Sequence, residues 1–161
     1  MFQEAASLLN NAGLTVVSAD LHRPWGGFYA VDNEQAQSFS DTFFDGLDVG
    51  SLRQTIDGAL SPKLLIVHPK KRLSWQYHNR RSEIWRVLQG IVGIVRSSSD
   101  VEGPVELFST GDFITLPCGE RHRLVGLEES ALIAEIWQHT DPSHPSDEQD
   151  IVRVQDDFGR E

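Results

Sequence analysis

Four side chains carry the chemistry that can be read from this 161-residue sequence. Gln76 and His78 stand two apart in a segment, residues 73–78, that reads as a strand, so both point to one face while Tyr77 points to the other. Glu83 follows a short basic turn; if that turn reverses the chain, Glu83 enters the neighbouring strand beside the pair, and Gly90 closes that strand. His122 heads a later strand, after a run that contains Gly111, Pro117, Cys118 and Gly119. Two imidazoles, one carboxylate and one amide oxygen suit a single divalent cation of borderline hardness, zinc first, with nickel, manganese and iron(II) as compatible alternatives.

The elements that must position these donors are short. From Lys63 onward the chain breaks into apolar or alternating runs at residues 64–68, 73–78, 83–88, 91–95, 105–108, 113–116, 122–125 and 132–137, punctuated by Pro69, Asn79, Gly90, Gly103, Gly111, Pro117 and Gly126. Many short strands with such punctuation predict an antiparallel sandwich or barrel, and no helical pattern separates them as a doubly wound sheet would need. Ahead of them, Phe2, Ala5, Leu8, Leu9 and Ala12 fall at helical spacing before Gly13, and Asp32 can cap a second helix carrying Ala36, Phe39, Phe43 and Phe44 on one side. The sequence has no internal repeat or linker, so it reads as one domain: helical or extended additions over 1–60, a barrel over 61–140, and a C-terminal loop and strand over 141–161. Residues 141–150, acidic and proline-containing, read as a surface loop.

Composition narrows the partners. Lysine and arginine number 14 against 24 acids, a net charge of -10, which disfavours broad attachment to nucleic acid or an anionic membrane. No apolar run approaches the roughly 20 residues of a membrane helix and no secretory signal opens the chain, so a cytoplasmic protein is expected. Cys118 is the single cysteine, which excludes an internal disulfide and a multi-cysteine zinc knuckle. Seven basic residues, Lys63, Lys70, Lys71, Arg72, Arg80, Arg81 and Arg86, cluster around three of the proposed ligands, as a phosphate-recruiting rim or as an ordinary solvated strand edge would. Trp25, Trp75, Trp85 and Trp137 read as core or interface residues, Cys118 as a small loop residue, and His68, His139 and His144 have no partner pattern.

The donor pattern resembles the cupin superfamily, a double-stranded antiparallel β-barrel or jelly roll. Its second motif is complete in Gly111, Pro117, Gly119 and His122; its first departs by carrying Gln76 where most cupins have histidine. That glutamine, histidine, glutamate, histidine set is similar to the zinc-holding set of phosphomannose isomerases. Arg23-Pro24-Trp25-Gly26-Gly27, Leu73-Ser74-Trp75-Gln76-Tyr77-His78, Asp150-Ile151-Val152-Arg153 and Asp157-Phe158-Gly159-Arg160 resemble further segments of these enzymes, most closely the isomerase domain of bifunctional mannose-1-phosphate guanylyltransferase/mannose-6-phosphate isomerases. The resemblance implies an all-β cupin barrel with short N-terminal helices, one divalent metal on Gln76, His78, Glu83 and His122, and isomerisation of mannose 6-phosphate to fructose 6-phosphate. It makes Arg160 and Arg23 candidates for contacting substrate in catalysis, and a small sugar phosphate the expected partner. Lys70, Lys71, Arg80 and Arg81 are candidate phosphate binders, and a homodimer is expected because small cupins often pair near their N-terminal additions. Two other readings stay open: an iron(II) centre for dioxygen chemistry built on two histidines and one carboxylate, and a sugar-binding or nucleotide-sugar-binding cupin without turnover.

Overall fold

The computed structural model describes residues 1–53 and 58–160. The leading helix α1 (Phe2–Asn11) turns Ala5 and Leu9 inward, as its spacing predicts. Asp32 does act as a cap: its carboxylate accepts the Glu34 amide and starts a short 3-10 turn (Asn33–Gln35) that runs into α2 (Ala36–Phe43). A four-residue turn of helix, α3 (Gly50–Arg53), follows.

The remaining elements are strands. Two of them, β1 (Val16–Arg23) and β2 (Gly26–Val31), form a hairpin within the region expected to hold helical or extended additions. The others are β3 (Lys63–Val67), β4 (Trp75–Tyr77), β5 (Arg81–Gln89), β6 (Ile91–Ser97), β7 (Val105–Ser109), β8 (Phe113–Leu116), β9 (Arg121–Gly126), β10 (Ala131–His139) and β11 (Val152–Gln155). They make two antiparallel sheets, ordered β1-β2-β3-β10-β5-β8 and β11-β4-β9-β6-β7. The all-β expectation is met, but the sheets take in β1 and β2 from ahead of residue 61 and β11 from beyond residue 140. Among the described residues no helix is long and apolar enough to cross a membrane.

Alternation along the central strands sorts two cores. Leu64, Ile66, Leu132, Ala134 and Ile136 face outward and are covered by Ala5, Leu9, Phe39 and Phe43 of the helices. Leu65, Val67, Trp85, Val87, Ala131 and Ile133 face inward and meet Val92, Ile94 and Leu124 of the second sheet. Strand β10 is therefore buried on both faces, which is why it reads as a nearly unbroken apolar run. Each large side chain fully buried this way, Phe39 or Ile136 for example, contributes about 2 kcal/mol. The inward rows of β3, β5 and β10 change character partway along. Beyond Leu65, Val87 and Ile133 they continue as Lys63, Glu83, Glu135 and Trp137, so one end of the barrel interior is apolar and the other polar.

The β1–β2 hairpin joins this sheet along Gly26–Ala30, which pair with β3, and at Gly26 the backbones leave no room for a side chain. The Gly26 φ is +147°, and a Cβ there would lie 1.9 Å from the Ile66 carbonyl oxygen, with backbone and not a movable side chain as the obstacle. Gly111 also has a positive φ, +99°, but nothing lies within 4 Å of its would-be Cβ. Gly26→Ala is expected to destabilise the fold by about 3 kcal/mol or more, and Gly111→Ala by only about 1–2 kcal/mol of backbone strain; paired urea melts measure both, and equal losses would contradict the steric argument.

Candidate metal centre

At the polar end of the barrel, His78, Glu83 and His122 place one ligand atom each within 4.8 Å of one another, and all three side chains are buried. His78 leaves β4, Glu83 enters β5, and His122 opens β9, so the donors come from both sheets. His78 Nε2 lies 3.0 Å from Glu83 Oε1 and His122 Nε2 lies 3.5 Å from Glu83 Oε2. The outer nitrogens settle the tautomers. His78 Nδ1 donates to the Asp150 carbonyl at 2.6 Å, and His122 Nδ1 donates to the Glu120 carbonyl at 3.0 Å. Both Nε2 atoms thus turn lone pairs toward a carboxylate, an arrangement of acceptors that calls for a cation. Glu83 Oε2 and His122 Nε2 are buried polar atoms with no hydrogen-bond partner in the structure. The donor chemistry fits a divalent metal ion. Gln76, directly opposite His122 in the β4–β9 register, lines the same cavity as Glu83 and can add its amide oxygen, which accepts from Ser74 Oγ and keeps a second lone pair.

The supports of this cluster are themselves buried. Asp150, placed by the sequence in a surface loop, is 5% exposed: its carbonyl receives His78, and its carboxylate accepts from the amides of Asn79 and Arg80 and from Ser146 Oγ. The segment 141–150 is irregular, but its end is a buttress for the ligand strand. Arg81 stacks its guanidinium 3.9 Å from the Trp137 ring centre, donates Nε to Glu83 Oε1 at 3.0 Å and reaches Ser146 Oγ and the Asp147 carbonyl. Burial alone pushes the Glu83 carboxyl up, yet the positive charge around it, from His78 and His122 when each carries a second proton in place of a cation and from Arg81, holds it well below the usual carboxylate range. Trp85 packs its ring edge-on to His122, with centres 5.7 Å apart, and fixes that imidazole from the barrel side.

The cavity beside the cluster is walled by Arg23, Lys63, Arg81, Arg153 and Arg160, with Glu83, Glu135 and Glu148 as its acids. Arg23 and Arg160, singled out from the sequence, do reach it. Each is held by a carboxylate: Arg23 Nε by Asp20 at 2.7 Å, and Arg160 through Nε and Nη2 by Asp156, whose own carboxyl the hydrogen bonds from Arg160 lower to about 2. Of the seven clustered basic residues only Lys63 and Arg81 line the cavity. Lys70 pairs with Glu128 and its amide bonds Leu127, beyond the far end of β9 and about 15 Å of extended strand from His122. Lys71 accepts from Gly126 at that same far end. Arg80 is spent on the Pro145 carbonyl, Asp147 and Asp150; Arg72 on Asp157; Arg86 on Asp45. Linear proximity to the ligands thus does not bring Lys70, Lys71 or Arg80 to the cavity. Sequence reasoning assigns no role to Arg153, which ends the Asp150-Ile151-Val152-Arg153 segment, or to Glu135. The available signal for Glu135 was a lone acid inside the apolar run of β10.

Fold and donor set together define a cupin barrel carrying a two-histidine, one-glutamate cluster. The family model described as "Mannose-6-phosphate isomerase C-terminal" matches residues 53–156, and the chain belongs to that family. Among curated proteins it is 27% identical over 160 residues to the xanthan biosynthesis protein XanB of Xanthomonas campestris pv. campestris, covering 98% of this chain and 28% of the relative. It is 26% identical over 144 residues to a mannose-1-phosphate guanylyltransferase of Escherichia coli K12, covering 89% and 24%. The chain therefore spans about a quarter of the length of these relatives. Among solved structures, oxalate decarboxylase from Bacillus subtilis superposes with a TM-score of 0.57 at 16% identity, over 84% of this chain and 29% of that one. The capsular polysaccharide assembling protein CapF from Staphylococcus aureus does so with 0.54 at 13%, over 87% and 34%. These two likenesses concern the fold alone.

Chelator-treated protein is expected to take up one equivalent of zinc, and saturation at 100 times the dissociation constant is expected to add about 2.7 kcal/mol of stability. Glu83→Ala and His122→Ala should each abolish both the uptake and the metal-dependent rise in melting temperature, as followed by metal analysis and thermal denaturation. Retention of one equivalent by both variants would refute the site.

Proposed function

We propose that this chain is a divalent-metal-dependent sugar-phosphate isomerase that interconverts mannose 6-phosphate and fructose 6-phosphate. The observation that carries the reading is that Glu83 of the His78, Glu83 and His122 cluster, together with Gln76, lines one cavity with a cationic wall of Arg23, Lys63, Arg153 and Arg160. Membership of the mannose-6-phosphate isomerase C-terminal family supports it.

In this reading Gln76, His78, Glu83 and His122 hold the cation, zinc by donor chemistry, which when bound polarises the sugar carbonyl and its neighbouring hydroxyl. The protein's own groups supply the rest. Arg23 and Arg160 bind the phosphate through planar guanidinium forks whose orientation Asp20 and Asp156 have already fixed, so little rotamer freedom is lost on binding. Arg153 and Lys63 add positive charge beside them, local attraction for a dianion on a protein whose overall charge is -10. Trp25, Phe28, Leu73 and Ile151 form the apolar part of the wall and keep water from the open-chain sugar. Arg81 acts through Glu83, holding one carboxylate oxygen so that the other faces His122.

Protein stripped of metal and reloaded separately with zinc, manganese, nickel and iron(II) is expected to regain interconversion of the two sugar phosphates with at least one metal, and Glu83→Ala to regain none. Arg160→Ala should raise KM for mannose 6-phosphate by roughly tenfold while leaving metal content unchanged. Absence of turnover with every metal despite confirmed loading would overturn the isomerase reading. Oxygen uptake restricted to the iron form would replace it with dioxygen chemistry, and saturable sugar-phosphate binding without turnover would replace it with a binding role.

A further inference from the structure

Isomerisation of an aldose to a ketose leaves composition unchanged: one proton leaves C2 and one is delivered to C1, while the hydroxyl proton passes from O2 to O1 as C1 is reduced and C2 oxidised. The metal-ligand set holds no group free for the carbon-bound proton, so another side chain in the cavity must carry it. The cavity wall contains two acids besides Glu83, namely Glu135 and Glu148. Glu148 is 67% exposed and bound to Lys63 at 2.6 Å and to Ser61 at 3.0 Å, which leaves it a poor base. Glu135 is 6% exposed, lies on the inward row of β10, and accepts from Trp85 Nε1 through Oε2 at 3.0 Å.

The sheet register fixes where Glu135 stands. Glu83 faces Trp137 and Glu135 faces Trp85 across β5 and β10, so the two carboxyls are diagonal neighbours on one face, with Cβ atoms about 7 Å apart. On its other side Glu135 faces Lys63 of β3. Across the sheet from β5 to β10 to β3, the order is metal ligand, Glu135, cationic wall. A sugar phosphate anchored by its phosphate and presenting C1 and C2 to the metal end passes over Glu135. We propose that Glu135 is the catalytic residue that takes the C2 proton of the aldose and returns it to C1 of the enediol, leaving its own protonation state unchanged after each turnover. This role rests on the isomerase reading above.

The surroundings suit a base working near neutrality. Burial pushes the Glu135 carboxyl up to about 7, with the Glu83 and Glu148 charges adding to the rise and Lys63 and Arg81 opposing it. Glu83, Arg81, Lys63 and Glu148 are the charged groups that face it from β5, β3 and the segment before β11.

The test compares wild type, Glu135→Gln and Glu135→Asp, each loaded with the metal that supports the wild type, using mannose 6-phosphate in D2O and proton NMR to follow deuterium entering C1 and C2 alongside isomer formation. The Gln variant keeps an oxygen for Trp85 Nε1, so one equivalent of metal, calorimetric affinity for mannose 6-phosphate within about threefold and an unchanged melting curve are expected. Its kcat and its deuterium incorporation should both fall by roughly 10²–10⁴-fold, and the Asp variant, which keeps the acid but shortens its reach, should fall less. Wild-type turnover with Glu135→Gln within fivefold of it, or Asp and Gln variants equally impaired, would overturn the role of Glu135 while leaving the isomerase reading intact. A loaded wild type that neither exchanges nor isomerises would overturn that reading, and this proposal with it.

Discussion

The hydrogen bond from His78 Nδ1 to the Asp150 carbonyl joins the two halves of the site. On one side it fixes the imidazole so that its other nitrogen points at Glu83. On the other it fixes where the chain re-enters the barrel before β11, and hence where Arg153 and Arg160 stand against the cavity. The Asp150 carboxylate makes this clasp hard to loosen, because the amides of Asn79 and Arg80 and the Ser146 hydroxyl would all lose a buried partner with it. Ligand geometry and the cationic wall are in this way consequences of one short contact between residues 72 positions apart.

A second constraint acts at the far edge of the C-terminal segment. Arg123 is 1% exposed and donates to the Leu73 carbonyl and to Glu102, while Asp157 spans Arg72 and approaches Arg123 at 3.7 Å. Burial pulls the Arg123 guanidinium below its ordinary value, with the nearby Arg72 charge in the same direction and the carboxylates of Glu102 and Asp157 against it. The charge is tolerated in the interior because carbonyl and carboxylate oxygens surround it, and in exchange it pins β4, β9 and the chain end together.

Much of this was legible from the residues. The eight strands from Lys63 onward were marked out by proline and glycine punctuation, and Gln76, His78 and Glu83 by a two-residue period followed by a turn. Local rules cover those features because each strand's limits are local. The β1–β2 hairpin was harder to see, since β1 is an edge strand with Val16 and Val17 exposed and no clean alternation to read. Lys70 and Lys71 lie away from the cavity for a different reason: strand direction, which the sequence does not state, carries them to the opposite end of β9. Glu135 hid in β10 because a strand covered on both faces shows no period of two, so a single inward acid resembles noise in a core segment. Asp150 was misjudged because proline and acid content describe a loop's composition and say nothing about which of its residues turns inward.

The register described for β3 and β10 pairs residues 63–67 with 131–135, and β11 returns to β4 across a comparable stretch of chain. Such distant pairings place the chain among topologies that fold slowly, because loop-closure entropy must be overcome before the long-range contacts form. The donors belong to strands whose meeting completes the barrel, with His122 brought beside Gln76 only when β4 and β9 pair. A cation therefore has no preassembled cluster to bind in the early, open chain. A cation bound there would act as a late lock, slowing the unfolding of a barrel that has already closed more than it speeds the closing.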